Sequence, residues 1–414
     1  MKRNKFTLFI LLAMFLGMGV GYLIHENQTT AFISDFAPKI KLLGTIFIRL
    51  VQMIIAPLVF STLVVGIAKL GNVQTVGRVG GKAMLWFVTA SLISLLLGMV
   101  LVNYFQPGQQ INLSHADTGA LKDLMSKTQE FSLAHFVEHV IPRSVFEAMA
   151  NNEILQLVVF AVFFGVAAAA VGETAKPVIT ALESLSHIIL KMVNYIMNFA
   201  PLGVFGALCA VVSEKGLGIF QFYAAYYFSF LAGIFLLWLI LLGVGYLFLK
   251  NRLPSLLKRI SGPILIALTT TTSEAVFPKL TEELEGFGCD NKVVSFILPL
   301  GYSFNLDGSM MYMTFASLAI AQAYHVHLPL GTQLTMLLVL MLTSKGVAGV
   351  PRASLIIVLA TCAMFKIPPE GVALILPIDH FCDMLRTGTN VLGNALATTV
   401  VSKWEGALEN PSKT

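Results

Sequence analysis

The sequence predicts an all-α polytopic membrane protein, and three features of its composition support that prediction. Hydrophobic residues make up 56% of the 414 positions and charged residues 12%, against roughly 25% charged in a soluble domain. The mean hydropathy is +0.80. Long apolar runs recur along the chain, each near the length of about 20 residues that a membrane helix needs. The net charge of +5 is modest and spread over loops, which disfavours a nucleic-acid-binding protein.

Apolar runs of spanning length fill most of the first two thirds of the chain. We expect helices at about 6–24, 42–68, 83–105, 154–170, 179–212 (with a break at Pro201–Gly203) and 220–249. The first run follows a basic start, as in a signal peptide. It is long enough to span and lacks a clear cleavage site of small residues, so we interpret it as a retained helix.

Charge in the loops predicts the orientation of the chain. The loop with Lys69, Arg78 and Lys82 has no acid, and a second basic loop spans 250–259. Residues 103–142 mix acids with bases and are too few for an independent core. Basic loops favour the cytoplasmic side, so we expect an even number of spans with both termini cytoplasmic.

The four cysteines predict neither a metal site nor a disulfide. They have no CxxC spacing, and each lies in or beside an apolar run. Cysteines in such places are usually small buried hydrophobes. We therefore expect no bound metal and no cofactor.

Two apolar segments of the last third are broken in the middle. Residues 264–280 contain Thr269–Glu274 and Pro278, and residues 334–365 contain Ser344–Pro351. Each is followed by a span that carries polar residues, first 293–321 and then 377–401. This twofold pattern predicts an inverted repeat, whose broken segments meet at mid-membrane and bind substrate and ions with freed backbone groups.

The span at 377–401 carries the strongest sign of function. Its polar residues are Asp379, Asp383, Arg386, Thr387, Asn390 and Asn394. Their spacing places them on one face of a helix. Charges inside a membrane span usually face a bundle interior or a wet cavity, so this face marks a transport pathway. A soluble helix with a polar face, or a purely structural Asp–Arg pair, is the alternative.

Four stretches of the sequence resemble the dicarboxylate/amino acid:cation symporter family, which includes the bacterial glutamate/aspartate and proton-glutamate symporters. They are IRLVQMIIAPLVFSTLVVGIA at 48–68, NLDGS at 305–309, GVAGVP at 346–351 and DMLRTGTNVLGN at 383–394. The resemblance extends over nearly all of the chain. It implies a transporter rather than an enzyme, in a bacterial cytoplasmic (inner) membrane.

The resemblance also implies an architecture, the glutamate-transporter-homologue fold. Residues 1–414 would form a single membrane domain of eight transmembrane helices, two re-entrant hairpins and inverted repeats, assembled as a homotrimer. A scaffold (about 1–70 and 142–217) would hold a transport part (about 80–105 and 218–405) that moves like an elevator. The hairpins would lie at about 254–290 and 331–366.

Residue by residue, the resemblance implies a site for an acidic amino acid. Arg386 would pair with the side-chain carboxylate of glutamate or aspartate, and Asp383 would hold the α-ammonium. Asn390 and the two hairpin tips would take the α-carboxylate. The residues implied are Ser273, Ser309, Gly349, Val350, Asp383, Arg386, Thr387 and Asn390. Having both Asp383 and Arg386 favours an acidic amino acid over a plain C4-dicarboxylate.

The chain departs from sodium-coupled members at the positions of the cation sites. Those positions are Ser91, Gly301, Ser303, Asn305, Asp307, Asn390 and Asn394. Asn394 replaces an aspartate, and Phe87 and Ala90 replace hydroxyl side chains. Because hard cations need several oxygen ligands, these losses favour proton coupling, with Glu274 and Asp307 as candidate carriers. Met313 replaces the glutamate that animal members protonate. Sodium-coupled transport of acidic amino acids or C4-dicarboxylates is the alternative.

Two other classes of protein are also possible. An intramembrane hydrolase could use the acid pair or a serine, but Asp379 and Asp383 share one segment and no Gly-x-Ser-x-Gly elbow occurs. A channel would lack uphill accumulation of substrate, and transport measurements distinguish it from a symporter.

Overall fold

The computed structural model describes residues 3–70, 73–110, 140–216, 223–344 and 353–409. Within these ranges the regular structure is α-helix and short 3-10 helix, with no strand. The prediction of an all-helical protein is therefore confirmed.

The α-helices are numbered here in chain order. They are α1 (Arg3–Asn27), α2 (Thr30–Leu70), α3 (Val73–Phe105), α4 (Val145–Ala150), α5 (Ile154–Val171), α6 (Lys176–Met197), α7 (Ala200–Lys215), α8 (Ala224–Leu249), α9 (Leu253–Thr270), α10 (Phe277–Phe287), α11 (Asn291–Phe304), α12 (Asp307–Ala323), α13 (Leu330–Thr343), α14 (Ala353–Met364) and α15 (Val372–Trp404).

Several helix boundaries differ from those expected. The helix α2 begins at Thr30 instead of about Leu42, and α3 begins at Val73 instead of about Ala83. Apolar runs detect only the stretch that is hydrophobic enough for the bilayer, and these helices continue beyond it. The long run at 179–212 breaks before Pro201, which lies in the first turn of α7, where proline's missing N–H leaves no bond unmade.

The helices pack in two groups. In one group α2 lies against α5, α6 and α7, and α1 lies against α7. In the other group α15 is the central element, in contact with α8, α9, α11 and α12, while α3 lies against α12. The helix α2 also packs on α11 and so joins the two groups.

Five stretches among the described residues are long and apolar enough to cross a membrane. They are Leu8–Asn27, Thr30–Ala68, Gln74–Phe105, Leu155–Met192 and Ala224–Thr270. Large hydrophobic side chains are exposed on these stretches, for example Phe235 at 64% and Leu247 at 72% on α8. Such surfaces suit contact with lipid. The structure therefore agrees with a membrane protein, and the number of eight spans stays a prediction.

Candidate functional site

The polar residues of α15 are enclosed by the neighbouring helices. Asp379, Arg386, Thr387, Asn390 and Asn394 are all buried, and the side chain of Asp383 is 17% exposed. Unpaired charges are costly in such surroundings, so each buried polar group needs a partner. The partners come from α15 itself and from α12.

Arg386 is held by two carboxylates and one aromatic ring. Its Nε donates to Asp383 Oδ1 at 2.7 Å, and its Nη1 donates to Asp379 Oδ1 at 3.4 Å. The guanidinium carbon lies 4.4 Å from the ring centroid of Tyr312, within cation–π range. Thr387 also donates to Asp383 Oδ1, at 3.2 Å. One cation and one partly exposed carboxylate are thus placed side by side.

Asn390 joins α15 to the first turn of α12. The backbone N–H of Ser309 donates to Asn390 Oδ1 at 3.2 Å, and Asn390 Nδ2 donates to Ser309 Oγ at 3.0 Å. The two helices approach closely here, because a Cβ at Gly308 would lie 2.3 Å from the carbonyl oxygen of Arg386. Only glycine fits at that position.

The positions expected for a cation site come together where the helix breaks between α11 and α12. The predicted continuous span 293–321 is thus interrupted at Asn305–Leu306. Asn305 Nδ2 donates to Asp307 Oδ2 and to Asn394 Oδ1, both at 3.2 Å. A Cβ at Gly393 would lie 1.9 Å from Asp307 Oδ2, so α15 also meets this break at backbone distance.

Polar atoms at this break outnumber the hydrogen bonds between them. Ser303 Oγ, Asn305 Oδ1 and Asn394 Nδ2 are buried and have no hydrogen-bond partner within the described ranges. A Cβ at Gly301 would lie 2.3 Å from Asn394 Oδ1, which places Gly301 in the same cluster. Oxygen atoms grouped in this way suit a small cation or a proton-carrying group.

The middle of α3 reaches the same region. Ser91 Oγ donates to the carbonyl oxygen of Phe304, the last residue of α11, at 3.5 Å. The side chains of Phe87 and Ala90 are buried and apolar. Neither of these two side chains can supply an oxygen ligand.

The first broken segment ends in a turn stabilised by its own threonines. The helix α9 stops at Thr270, and Thr271 adopts the left-handed conformation with φ of 53°. The hydroxyls of Thr271 and Thr272 both donate to the Thr270 carbonyl, at 2.7 and 3.1 Å. Ser273 follows and is buried, and Glu274 is partly buried. The tip of the second segment, with Gly349 and Val350, lies outside the described residues.

Two aromatic residues at the site were not expected from the sequence. The Tyr312 hydroxyl donates to Asp379 Oδ1 at 2.6 Å, and Trp238 Nε1 donates to Thr389 Oγ1 at 2.8 Å. The position of Tyr312, five residues after Asp307, only weakly indicated in the sequence that its side chain would reach the site. Trp238 lies in a uniformly apolar run, where a tryptophan usually indicates packing alone.

The all-helical fold of the described residues and their buried, paired charges agree with a membrane transporter, and the family and the names of its relatives indicate a transporter and not an enzyme. The chain belongs to the sodium:dicarboxylate symporter family, which matches residues 6–404. It is 37% identical over 401 residues to the proton/sodium-glutamate symport protein of Geobacillus stearothermophilus, covering 96% of this chain and 94% of the relative.

Relatives with two different names match the chain at similar identity. The proton/sodium-glutamate symport protein of Bacillus caldotenax is 36% identical over 401 residues, covering 96% of this chain and 94% of the relative. The C4-dicarboxylate transport protein of Laribacter hongkongensis is 42% identical over 382 residues, covering 92% and 87%. Relatives named for glutamate and relatives named for C4-dicarboxylates therefore match this chain about equally well.

Proposed function

We propose that the protein imports glutamate or aspartate together with protons. The observation that carries this proposal is the contact between Arg386 and the partly exposed Asp383, 2.7 Å apart. A guanidinium beside a carboxylate complements a ligand that has an extra carboxylate beside an ammonium group. A plain dicarboxylate has no cation for Asp383 to bind.

The remaining substrate contacts follow from the same arrangement. Arg386 binds the side-chain carboxylate of the substrate with two N–H groups of its guanidinium. Asp383 gives up part of its hydrogen bonding to Arg386 and binds the ammonium group of the substrate. Asn390 and Ser309, already bonded to each other, line the pocket with Thr387. Ser273 in the first tip, with Gly349 and Val350 in the second, completes the binding of the α-carboxylate.

The cluster at the α11–α12 break supports proton coupling over sodium coupling. An amide N–H of Asn305 bridges Asp307 and Asn394, and the second acid that would attract a sodium ion is absent at position 394. With Phe87 and Ala90 apolar, too few oxygen ligands remain for a hard cation. Glu274 or Asp307 then carries the proton.

The packing of the helices supports an elevator mechanism. The group around α2 (α1, α2, α5, α6 and α7) corresponds to the scaffold, and the group around α15 (α3, α8, α9, α11, α12 and α15) corresponds to the transport part. Every proposed substrate or ion residue that lies on a described helix belongs to the second group. The proposal includes eight spans, two re-entrant hairpins, a homotrimer and cytoplasmic termini in a bacterial inner membrane.

Uptake into proteoliposomes tests substrate and ion together. Radiolabelled glutamate, aspartate and succinate are offered under an inward proton gradient without sodium, and under a sodium gradient at equal pH. We expect accumulation of the amino acids in the first condition. Uptake that requires external sodium at every pH would overturn the coupling proposal, and accumulation of succinate alone would overturn the substrate proposal.

Transport of a C4-dicarboxylate is the second candidate, favoured by the 42% identity to a relative with that name. The variant Asp383→Asn separates the two candidates, because only an amino acid needs this carboxylate. If the variant loses the binding of glutamate and aspartate, the first candidate is supported. If the wild type binds succinate but no amino acid, and the variant binds succinate equally well, the second candidate is supported. Asp35→Asn, an exposed acid paired with Lys39, is the matched control.

A further inference from the structure

An apolar groove lies away from the substrate site, between α3 and α8 at the end of α15. Its cavity volume is about 280 Å³. Trp86 and Thr89 of α3 form one wall, Val244 and Phe248 of α8 form the other, and Trp404 closes one end. The groove continues along α3 to Ile93, about two helical turns from Trp86.

The walls of this groove are continuous with surface that suits lipid. Leu85 lines the groove and is 64% exposed, and Leu247 beside it on α8 is 72% exposed. The rings of Trp86, Phe248 and Trp404 pack edge to face at the closed end, with centroids 5.3 to 6.5 Å apart. Tryptophan is enriched at the level of lipid headgroups, so the composition of this end suits the membrane surface.

Basic side chains surround the closed end of the groove. Lys82 donates to the backbone carbonyl of Trp404 at 3.0 Å, and Lys403 donates to the carbonyl of Phe248. Both acceptors belong to residues that line the groove. Arg78 and Lys82 share a single carboxylate, Glu405, at 2.9 and 2.6 Å. Lys403 is exposed and has no acidic partner in the described part of the chain.

A buried donor also remains at the closed end. The indole N–H of Trp86 has no acceptor among the described residues, although the side chain is only 7% exposed. An ester carbonyl of a lipid would satisfy such a donor. The groove thus combines an apolar channel, a free donor at its closed end and an excess of positive charge just beyond it.

We propose that this groove binds one acyl chain of an anionic phospholipid, whose phosphate contacts Lys82 and Lys403. The acyl chain lies between α3 and α8, and the Trp86 indole donates to the ester. Basic pockets between membrane helices on the cytoplasmic side recognise anionic headgroups in this way. The lining residues in the described part of the chain belong to α3, α8 and α15, so, on the proposed elevator mechanism, the lipid moves together with these helices.

Quenching of tryptophan fluorescence by lipids with brominated acyl chains tests the proposal. The chain has three tryptophans, two of which line the groove, so Trp238→Phe gives a background that reports on Trp86 and Trp404. The purified protein is reconstituted with brominated phosphatidylglycerol or brominated phosphatidylcholine at equal mole fraction. We expect stronger quenching by the anionic lipid. Equal quenching by both lipids would overturn the proposal, and so would no quenching by either, which indicates a groove covered by protein.

Substitutions of charged residues test the headgroup contact in both directions. Lys403→Gln should lower the preference for the anionic lipid about fivefold, the effect of one basic residue near the surface. Glu405→Gln should raise the preference, because it releases Arg78 and Lys82. Lys292→Gln is the matched control, since Lys292 packs near Gly66 of α2 and not at the groove. A Lys403 variant that behaves like the Lys292 variant would overturn the headgroup assignment.

A substitution in the wall tests whether the acyl chain enters the groove. Thr89 lines the groove, and its hydroxyl donates to the Leu85 carbonyl of its own helix. Thr89→Phe should fill the channel and reduce quenching by both lipids. Undiminished quenching in this variant, with an unchanged melting temperature, would overturn the proposal that the acyl chain lies in the groove.

Discussion

The guanidinium of Arg386 on α15 stacks on the ring of Tyr312 on α12, with 4.4 Å between the guanidinium carbon and the ring centroid. The hydroxyl of the same tyrosine donates to Asp379, which also accepts a hydrogen bond from Arg386. The position of the cation therefore depends on two helices at once. This closed triangle makes the arginine a rigid part of the site.

The first prediction concerns substrate specificity. Arg386→Cys should abolish transport of glutamate and aspartate while small neutral amino acids still bind. Removing one partner of a buried charge pair costs about 3–5 kcal/mol, or more than a hundredfold in affinity. Binding of labelled aspartate and serine to the purified variant measures the change. Unchanged affinity for aspartate would contradict the assignment of Arg386.

The second prediction isolates the Tyr312 hydroxyl. Tyr312→Phe keeps the ring under Arg386 but removes the hydrogen bond to Asp379, so it should destabilise the protein by about 1.5–3 kcal/mol. Tyr302→Phe is the matched control, because the buried Tyr302 hydroxyl has no hydrogen-bond partner in the described ranges. Melting temperatures in detergent compare the two variants. Equal melting temperatures would show that the bond to Asp379 does not stabilise the site.

The third prediction concerns the proton carrier. Glu274→Gln should make uptake insensitive to a proton gradient, because a carboxylate that alternates between water and protein carries the proton. Asp307→Asn tests the other candidate. Glu282→Gln is the control, an exposed acid on α10 paired with Lys279. Proton-driven uptake that survives both the Glu274 and the Asp307 variants would exclude these two groups.

The fourth prediction restores a charge at the helix break. Asn394→Asp places a second carboxylate beside Asp307, where Asn305 now bridges the two positions. We expect saturable stimulation of uptake by sodium, because a hard cation gains an anionic ligand. Asn27→Asp adds the same charge at the exposed end of α1 as a control. Sodium-independent uptake by the Asn394 variant would contradict the role assigned to the missing charge at this position.

The fifth prediction concerns pH and stability outside the membrane. Burial raises the pKa of Glu405, but hydrogen bonds and charges from Arg78 and Lys82 outweigh it and lower the pKa overall. A carboxyl with a lowered folded pKa stabilises the protein above its unfolded pKa and loses that effect as pH falls through the folded value. Glu405→Gln should therefore lower stability by up to about 1 kcal/mol at neutral pH. The wild type and the variant should converge in acid; a constant gap in melting temperature would contradict this.

The polar features of the membrane part were predictable from the sequence. Six polar residues in one apolar span are rare enough to indicate function, and the structure buries five of them together. The break near Thr271 was predictable because a run of threonines offers hydroxyls for freed carbonyls. A matching break at Asn305 was not expected, although Asn-Leu-Asp-Gly disfavours a continuous helix.

Features that depend on contacts between helices were not predictable. Tyr312 and Trp238 have roles only because α12 and α8 place them against α15, and nothing local in the sequence specifies those contacts. The early starts of α2 and α3 were missed for a different reason. Hydropathy measures where a helix meets lipid, and it does not measure where the helix begins.

Arg386 has both of its acidic partners in its own helix, three and seven residues earlier, and this affects how the protein is made. Each charged side chain at the centre of a span adds about 2.5–3.5 kcal/mol to membrane insertion. Because the pairs with Asp379 and Asp383 form within one segment, these three residues enter the bilayer as one paired group with a net charge of −1 instead of three separate charges. The amount of Arg386→Cys recovered from membranes therefore reports on biosynthesis, separately from substrate affinity.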